Sequence, residues 1–203
     1  KQKMNNIYPE RESTKSFFFI LLGPSGVGKS TLIKRIINEF SEISYYPSYT
    51  TRSPRPGEVN GQDYFFIKES EFKQKIEQGD FIEIDRPHNS YYYGIAKEPL
   101  NTSLLVGKSF IKETAINALN ELLKSDLNKF VISIFLKPID LLDVKTRLIN
   151  RNSETDQDRL KSVEKEMLYE QSCSHTIHIK HNEIDYGLQQ LVKILFSYIS
   201  KNP

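Results

Sequence analysis

Apolar residues recur along this chain in two rhythms. Residues 17–22 (Phe-Phe-Phe-Ile-Leu-Leu) and 130–136 (Phe-Val-Ile-Ser-Ile-Phe-Leu) are almost unbroken apolar runs. Such runs mark strands buried on both faces. Shorter strands are predicted over residues 64–67, 109–113 and 176–180. In Phe81-Ile-Glu-Ile the alternation sets Glu83 on the face opposite Ile82 and Ile84. Between the strands the apolar spacing changes to three and four. Leu32, Ile33, Ile36, Ile37 and Phe40 line one helical face, as do Ile116, Leu119, Leu122 and Leu123 within 115–124. Phe72 and Ile76 lie four apart in 69–78, and Gly79 stops that helix. Helices are also predicted over 97–105, 140–150, 159–170 and 184–200. Buried strands joined by helices predict an α/β fold, a mainly parallel sheet covered on both faces. Ligands of such sheets sit beyond the carboxyl ends of the strands.

The first strand runs straight into Gly-Pro-Ser-Gly-Val-Gly-Lys-Ser-Thr, residues 23–31. This matches G-x-x-x-x-G-K-[ST], with Gly23, Gly28, Lys29 and Ser30 at the fixed positions. Glycines at 23, 26 and 28 let the backbone curl, so that successive N–H groups face phosphate oxygens. The helix opening near Lys29 turns its positive end toward the same cup. Lys29 reaches β- and γ-phosphates, and the Ser30 hydroxyl suits Mg²⁺. Ser25, Gly26, Val27 and Thr31 complete the predicted cradle. A P-loop between a buried strand and a helix predicts a nucleoside triphosphate site.

Residues 48–64 carry two prolines and two glycines and are predicted as a loop. That loop is rich in groups suited to oxyanions: Thr50, Thr51, Arg52, Arg55 and Tyr64. A strand-rich insert over about 48–97 follows from the strands and turns downstream of it. Tyr91 and Tyr92 read as packing residues.

Composition narrows the class. Among 203 residues, 28 Lys plus Arg nearly balance 26 Asp plus Glu, for a net charge of +2. That balance argues against a dedicated nucleic-acid or membrane-surface binder. The single cysteine, Cys173, excludes an internal disulfide, suits a reducing compartment and reads as a small buried residue. No apolar run approaches the roughly 20 residues that span a bilayer, so a cytoplasmic location is expected. His175, His178 and His181 lie three apart on an alternating segment and cannot share one face, so no metal site is expected there.

Three segments together, 23–32, Thr-Thr-Arg-Ser-Pro-Arg-Pro-Gly-Glu-Val-Asn-Gly-Gln-Asp-Tyr at 50–64, and Tyr-Tyr-Gly at 92–94, resemble the guanylate kinase family. The resemblance runs from about residue 17 to 195, and the middle segment is its most specific part. It implies a three-layer P-loop NTPase fold with two inserts and transfer of the ATP γ-phosphate to GMP or dGMP, with Mg²⁺. The implied layout is a flexible leader at 1–15, core at 16–47, a GMP-binding insert at 48–96, core at 97–146, a lid at 147–161 and core at 162–203. Arg52, Arg55, Tyr64 and Tyr93 are implied holders of the GMP phosphate, and arginine suits this through its bidentate fork. Glu83 is the implied acceptor for guanine N1–H and the 2-amino group, with Ser48 on the guanine edge. Arg147, Arg151 and Arg159 match the lid's basic positions, and Asn182 falls near the adenine. Lys29, Arg52, Arg147 and Arg159 are the implied catalytic set. A monomer or weak homo-oligomer is expected, with no nucleic acid or membrane partner.

The pattern also departs from the family's. Where two acids are usual after the Gly107-Lys108 turn, this chain has Glu113 and Ala115. Glu113 keeps the first acid's place, near Mg²⁺ or substrate. Ile95 stands where a hydroxyl follows Tyr-Tyr-Gly, the segment from 83 to 93 is one residue longer, and the lid is short. Each lost hydrogen bond is worth about 1 kcal/mol of substrate binding. Two alternatives accompany the reading: another small-molecule kinase on the same scaffold, such as a ribose bisphosphate phosphokinase, and a non-catalytic protein-binding module. The intact Lys29–Ser30 pair speaks against the module.

Overall fold

The computed structural model describes residues 15–86, 90–149, 162–180 and 183–199. Among them, five strands form one sheet in the order β2-β7-β1-β8-β9, with every neighbouring pair parallel. These are β1 (Phe18–Leu22), β2 (Ile43–Tyr45), β7 (Ser109–Glu113), β8 (Val131–Pro138) and β9 (His175–Ile179). β1 is central, and all five of its residues are buried. Its side chains divide by the two-residue period of a strand. Phe19 and Leu21 join Ile111, Ile134 and Leu136 beneath α1 (Lys29–Glu39) and α6 (Ile184–Ile199). Phe18, Ile20 and Leu22 face the opposite layer, packed on Leu100 and Leu104 of α3 (Glu98–Leu105) and Leu119 and Leu122 of α4 (Ile116–Lys124). Burying one such side chain is worth about 1.5–3 kcal/mol, so β1 is the best-anchored element and the natural support for a site at its end.

A second sheet of described strands has the order β4-β3-β6-β5. β3 (Ser48–Thr50) pairs parallel with β4 (Tyr64–Phe66) and antiparallel with β6 (Tyr93–Ala96), which pairs antiparallel with β5 (Phe81–Asp85). α2 (Glu69–Glu77) covers it through Phe72, whose ring stacks on Phe81 at 4.5 Å and on Tyr92 at 5.3 Å. α5 (Leu141–Ile149) follows β8. No helix among the described residues is long and apolar enough to cross a membrane.

The structure corrects the sequence reading in four places. β2 and β3 are three-residue strands, Ile-Ser-Tyr and Ser-Tyr-Thr, too short to show a period. The first three residues of the expected 48–64 loop are therefore strand. In β5 the register shifts between Phe81 and Glu83, a bulge that adds a residue and turns the side chains beyond it. Ile84 is consequently 41% exposed, and the simple alternation fails. The helix expected over 159–170 is, where described, helical at 162–167 and then a 3-10 turn, Leu168–Ser172. β8 begins one residue late, because a 3-10 turn at Asp126–Phe130, capped by Ser125 Oγ accepting from Leu127 N, occupies Phe130.

Gly94 sits where β6 passes under the aromatic layer. A Cβ there would lie 2.8 Å and 3.0 Å from Phe81 ring atoms and 3.0 Å from the Phe72 ring. Gly94→Ala is expected to lower stability by about 1–3 kcal/mol through overpacking, read as a lower guanidinium midpoint. An unchanged midpoint would show that the ring stack yields freely.

Candidate active site

The phosphate loop begins where β1 ends. Gly23 has φ 140°, and a Cβ there would lie 2.5 Å from the Leu136 carbonyl oxygen on β8. Only glycine lets the chain turn this close to the neighbouring strand. Gly26 (φ 83°) and Gly28 (φ 112°) continue the curl, and α1 starts at Lys29. That helix has neither a side-chain cap nor an acid in its first turn, so its N-terminal amides and positive dipole end stay directed at the loop. Lys29 Nζ donates to the Gly23 and Pro24 carbonyls at 2.7 and 3.1 Å. The Ser25 amide donates to Glu166 Oε2 at 2.9 Å, and Ser162 Oγ donates to the other oxygen of that carboxylate at 2.7 Å. A carboxylate thus already rests on one amide of the loop. Val27 turns its side chain into the core, and its amide donates to the Pro24 carbonyl. Thr31 is exposed on α1.

At the mouth of the loop, Ser30 Oγ donates to Glu113 Oε1 over 3.3 Å. The other carboxylate oxygen of Glu113 is buried and has no hydrogen-bond partner among the described residues. A hydroxyl beside an under-used buried carboxylate is a set of hard oxygen donors suited to Mg²⁺. Ser30 therefore fits the metal role expected of it.

The arginine loop builds a second cradle. The Arg52 guanidinium takes both oxygens of Glu58, at 2.9 and 2.8 Å, in the bidentate geometry of carboxylate and phosphate recognition. It also lies 5.4 Å from the Tyr64 ring centroid, and Tyr93, after Glu58, favours its charged form. Tyr64 and Tyr93 meet edge to face at 5.9 Å. The structure thus gathers Arg52, Tyr64 and Tyr93. Arg55 stays exposed, and its amide donates to Glu58. Hydrogen bonding to Arg52 holds the Glu58 carboxyl below its usual range. Thr50 and Thr51, expected among the oxyanion groups, instead fix the backbone. Thr50 Oγ1 donates to the Tyr92 carbonyl and accepts the Arg52 amide, while Thr51 Oγ1 accepts the Tyr92 amide. They position Arg52 from behind.

Beside Tyr64 and Tyr93 and the Ser30 partner Glu113 lies a cavity of about 130 Å³ whose lining also includes Ser48, Glu83, Ile95 and Lys112. Burial, reinforced by Asp85, raises the Glu83 carboxyl to about 7. Burial lowers the Lys112 ammonium to about 8, against the pull of Glu113 and Glu83. Buried groups with pKa values displaced toward neutrality are what functional sites display.

Other expected positions fall elsewhere. Arg147 lies on α5, while Arg151, Arg159 and Asn182 lie outside the described residues. His175 Nε2 is 2.8 Å from the Tyr198 hydroxyl and packs on that ring, and His181 lies outside the described residues. Cys173 is half-buried, its thiol pushed up to about 11 by burial. Sequence reasoning missed Glu58, Glu166 and Lys112. The one available signal was a lysine inside the otherwise apolar Phe-Ile-Lys stretch of β7.

Comparison with known proteins agrees with this fold. The family model described as Guanylate kinase matches residues 15–198. The guanylate kinase of Protochlamydia amoebophila (strain UWE25) is 36% identical over 186 residues, spanning 91% of this chain and 90% of that protein. That of Ruegeria sp. (strain TM1040) is 36% identical over 166 residues, 80% of this chain and 76% of that protein. A crystal structure of guanylate kinase from Anaplasma phagocytophilum shares the fold at a TM-score of 0.73 and 22% identity, covering 94% of this chain and 89% of the other. A chain that carries this phosphate loop and this arginine loop, matched over nearly its whole length, belongs to the guanylate kinase family.

Proposed function

We propose that this protein transfers the γ-phosphate of ATP to the phosphate of GMP, with the residues gathered above in defined roles. The observation that carries the proposal is the Arg52–Glu58 fork, a bidentate anion site whose neighbours Tyr64 and Tyr93 line the same cavity as Glu113, the partner of Ser30. The acceptor phosphate of GMP takes the place of the Glu58 carboxylate on Arg52, with Arg55, Tyr64 and Tyr93 closing round it. Guanine enters the cavity and gives its N1–H and 2-amino hydrogens to Glu83, while Ser48 meets another edge. Adenine lacks that donor pair, so it would leave a buried carboxylate unpaired, which costs more than a hydrogen bond gains.

The triphosphate lies in the loop from Gly23 to Thr31. Its oxygens displace Glu166 from the Ser25 amide and draw Lys29 off the Gly23 and Pro24 carbonyls. Ser30 would hold Mg²⁺, with Glu113 behind it, and the ion would supply charge neutralisation for the phosphates. An oxygen of the GMP phosphate attacks the γ-phosphorus, a new P–O bond forms, and the bond to the β-phosphate oxygen breaks to leave ADP. The attacking oxygen is already anionic, so no general base is needed. Rate comes from alignment and from cationic neutralisation by Lys29 and Arg52. Arg147, Arg151 and Arg159 serve as lid cations, Asn182 lies near the adenine, and residues 147–161 close over ATP to exclude water. The insert at 48–96 supplies the acceptor site and the remaining segments the core. A ribose bisphosphate acceptor has no base for Glu83, and a binding module has no need of Lys29 and Ser30.

Two outcomes test the assignment. Arg52→Ala is expected to raise KM for GMP by about 10- to 100-fold, the loss of one or more charge-assisted hydrogen bonds. KM for ATP should hardly move in a coupled ADP-release assay. Equal increases in both constants would contradict the placement of the two cradles. The second outcome concerns pH. With Glu83 raised to about 7, the guanine-accepting carboxylate is present above that pH and is lost as pH falls through it. Below about 7, kcat/KM for GMP should fall about tenfold per pH unit. Protonation of the GMP phosphate adds its own step near 6. Glu83→Gln should remove the upper step and keep the lower one; an upper step retained in the variant would assign it to another group.

A further inference from the structure

The base-side cavity holds a cation that the assignment above leaves without a role. Lys112 lies on β7 between Ile111 and Glu113 and is only 4% exposed. Burying an ammonium is costly unless hydrogen bonds and opposite charge compensate it. Here Nζ donates to the Tyr46 carbonyl at 3.0 Å and sits 5.1 Å from the Tyr45 ring centroid. Burial disfavours its charged form, and Glu113 and Glu83 oppose that. An ammonium carries three donors. Among the described residues the Tyr46 carbonyl is the hydrogen-bond acceptor found for it.

The surroundings say what the remaining donors can serve. Lys112 shares the cavity lining with Ser48 and Glu83, while Ile95, 1% exposed, adds an aliphatic surface to the β6 side beside Tyr93. Guanine is a base of two unlike edges. One carries the N1–H and 2-amino donors, and the adjoining one carries the O6 and N7 acceptors. A carboxylate matches the first edge. A lysine matches the second, as it does where proteins read guanine in nucleic acids. Adenine presents an amino group at the same carbon, which would set a donor against a buried donor.

We infer that Lys112 is a specificity-determining residue that donates to the 6-oxo edge of the purine whose N1–H and 2-amino side Glu83 accepts. This rests on the guanine reading of the cavity. The rival is a purely structural cation that neutralises Glu83 and Glu113. The 6-thio analogue of GMP separates the two, because it keeps the N1–H and 2-amino donors and exchanges O6 for a weakly accepting sulfur.

The experiment is steady-state ADP release by the full chain with GMP, 6-thio-GMP and AMP as acceptors, for wild type, Lys112→Met and Lys112→Gln. Wild type should favour GMP over 6-thio-GMP by about tenfold in kcat/KM, the worth of one charge-assisted hydrogen bond. Lys112→Met should raise KM for GMP about tenfold, leave KM for ATP unchanged and bring the GMP to 6-thio-GMP ratio within about twofold of one. Lys112→Gln, which keeps a neutral donor, should fall between them. A ratio that stays at the wild-type value in either variant overturns the inference, as does a wild-type ratio near one. If Lys112→Met does not fold, Lys112→Gln and the wild-type ratio decide. Failure of the underlying reading looks different: wild type itself would then accept AMP as readily as GMP.

Discussion

The close approach of Gly23 to the Leu136 carbonyl is the constraint on which the rest of the site depends. β1 is held on both edges, by β7 and β8, and on both faces by apolar layers. Its end therefore has one position and one direction. A turn that brings a Cα within reach of the next strand's carbonyl admits no side chain, and positive φ at 23, 26 and 28 carries the backbone round without one. Everything the site does with a triphosphate follows from that turn, because the amides of the loop and the start of α1 are aimed by it rather than by their own preferences. A cradle fixed in this way loses little conformational entropy on binding and needs little reorganisation during phosphoryl transfer.

The second cradle is supported differently. Arg52 stands just beyond β3, its amide held by Thr50 and its guanidinium by Glu58. Two internal carboxylates, Glu58 and Glu166, occupy groups that the proposed mechanism gives to phosphates. Such a stand-in keeps a charged or polar group satisfied and oriented, and a phosphate with more charge and more acceptor oxygens can exchange for it. Glu83 and Lys112 place a half-buried carboxyl and a buried amine in one small cavity. Each is costly alone, and each lowers the cost of the other.

How much of this was legible in the sequence depended on how local each feature is. The phosphate loop is contiguous, and its glycines, lysine and serine sit beside the strand and helix that give them meaning. Arg52, Tyr64, Glu83 and Tyr93 were legible through a longer family pattern, not through any periodicity. Three partners were not legible. Glu166 meets Ser25 across 141 positions, Lys112 meets Tyr46 across 66, and Glu58 is an ordinary surface residue until Arg52 folds onto it. The strands β2 and β3 escaped because three residues cannot show an alternation. β5 misled because a bulge moves Ile84 outward while the sequence still alternates.

The central claim is that two anion cradles face each other across this cavity, one of main-chain amides with Lys29 and one centred on Arg52. The most direct test is a crystal structure with GMP and a non-hydrolysable ATP analogue bound together. The account predicts the GMP phosphate on Arg52, with Glu58 displaced, and the β- and γ-phosphates on the amides of residues 25–30, with Glu166 displaced. The two phosphates should be aligned for transfer, and the guanine should lie against Glu83. A GMP phosphate seated away from Arg52, or a base outside the cavity lined by Glu83 and Lys112, would contradict it.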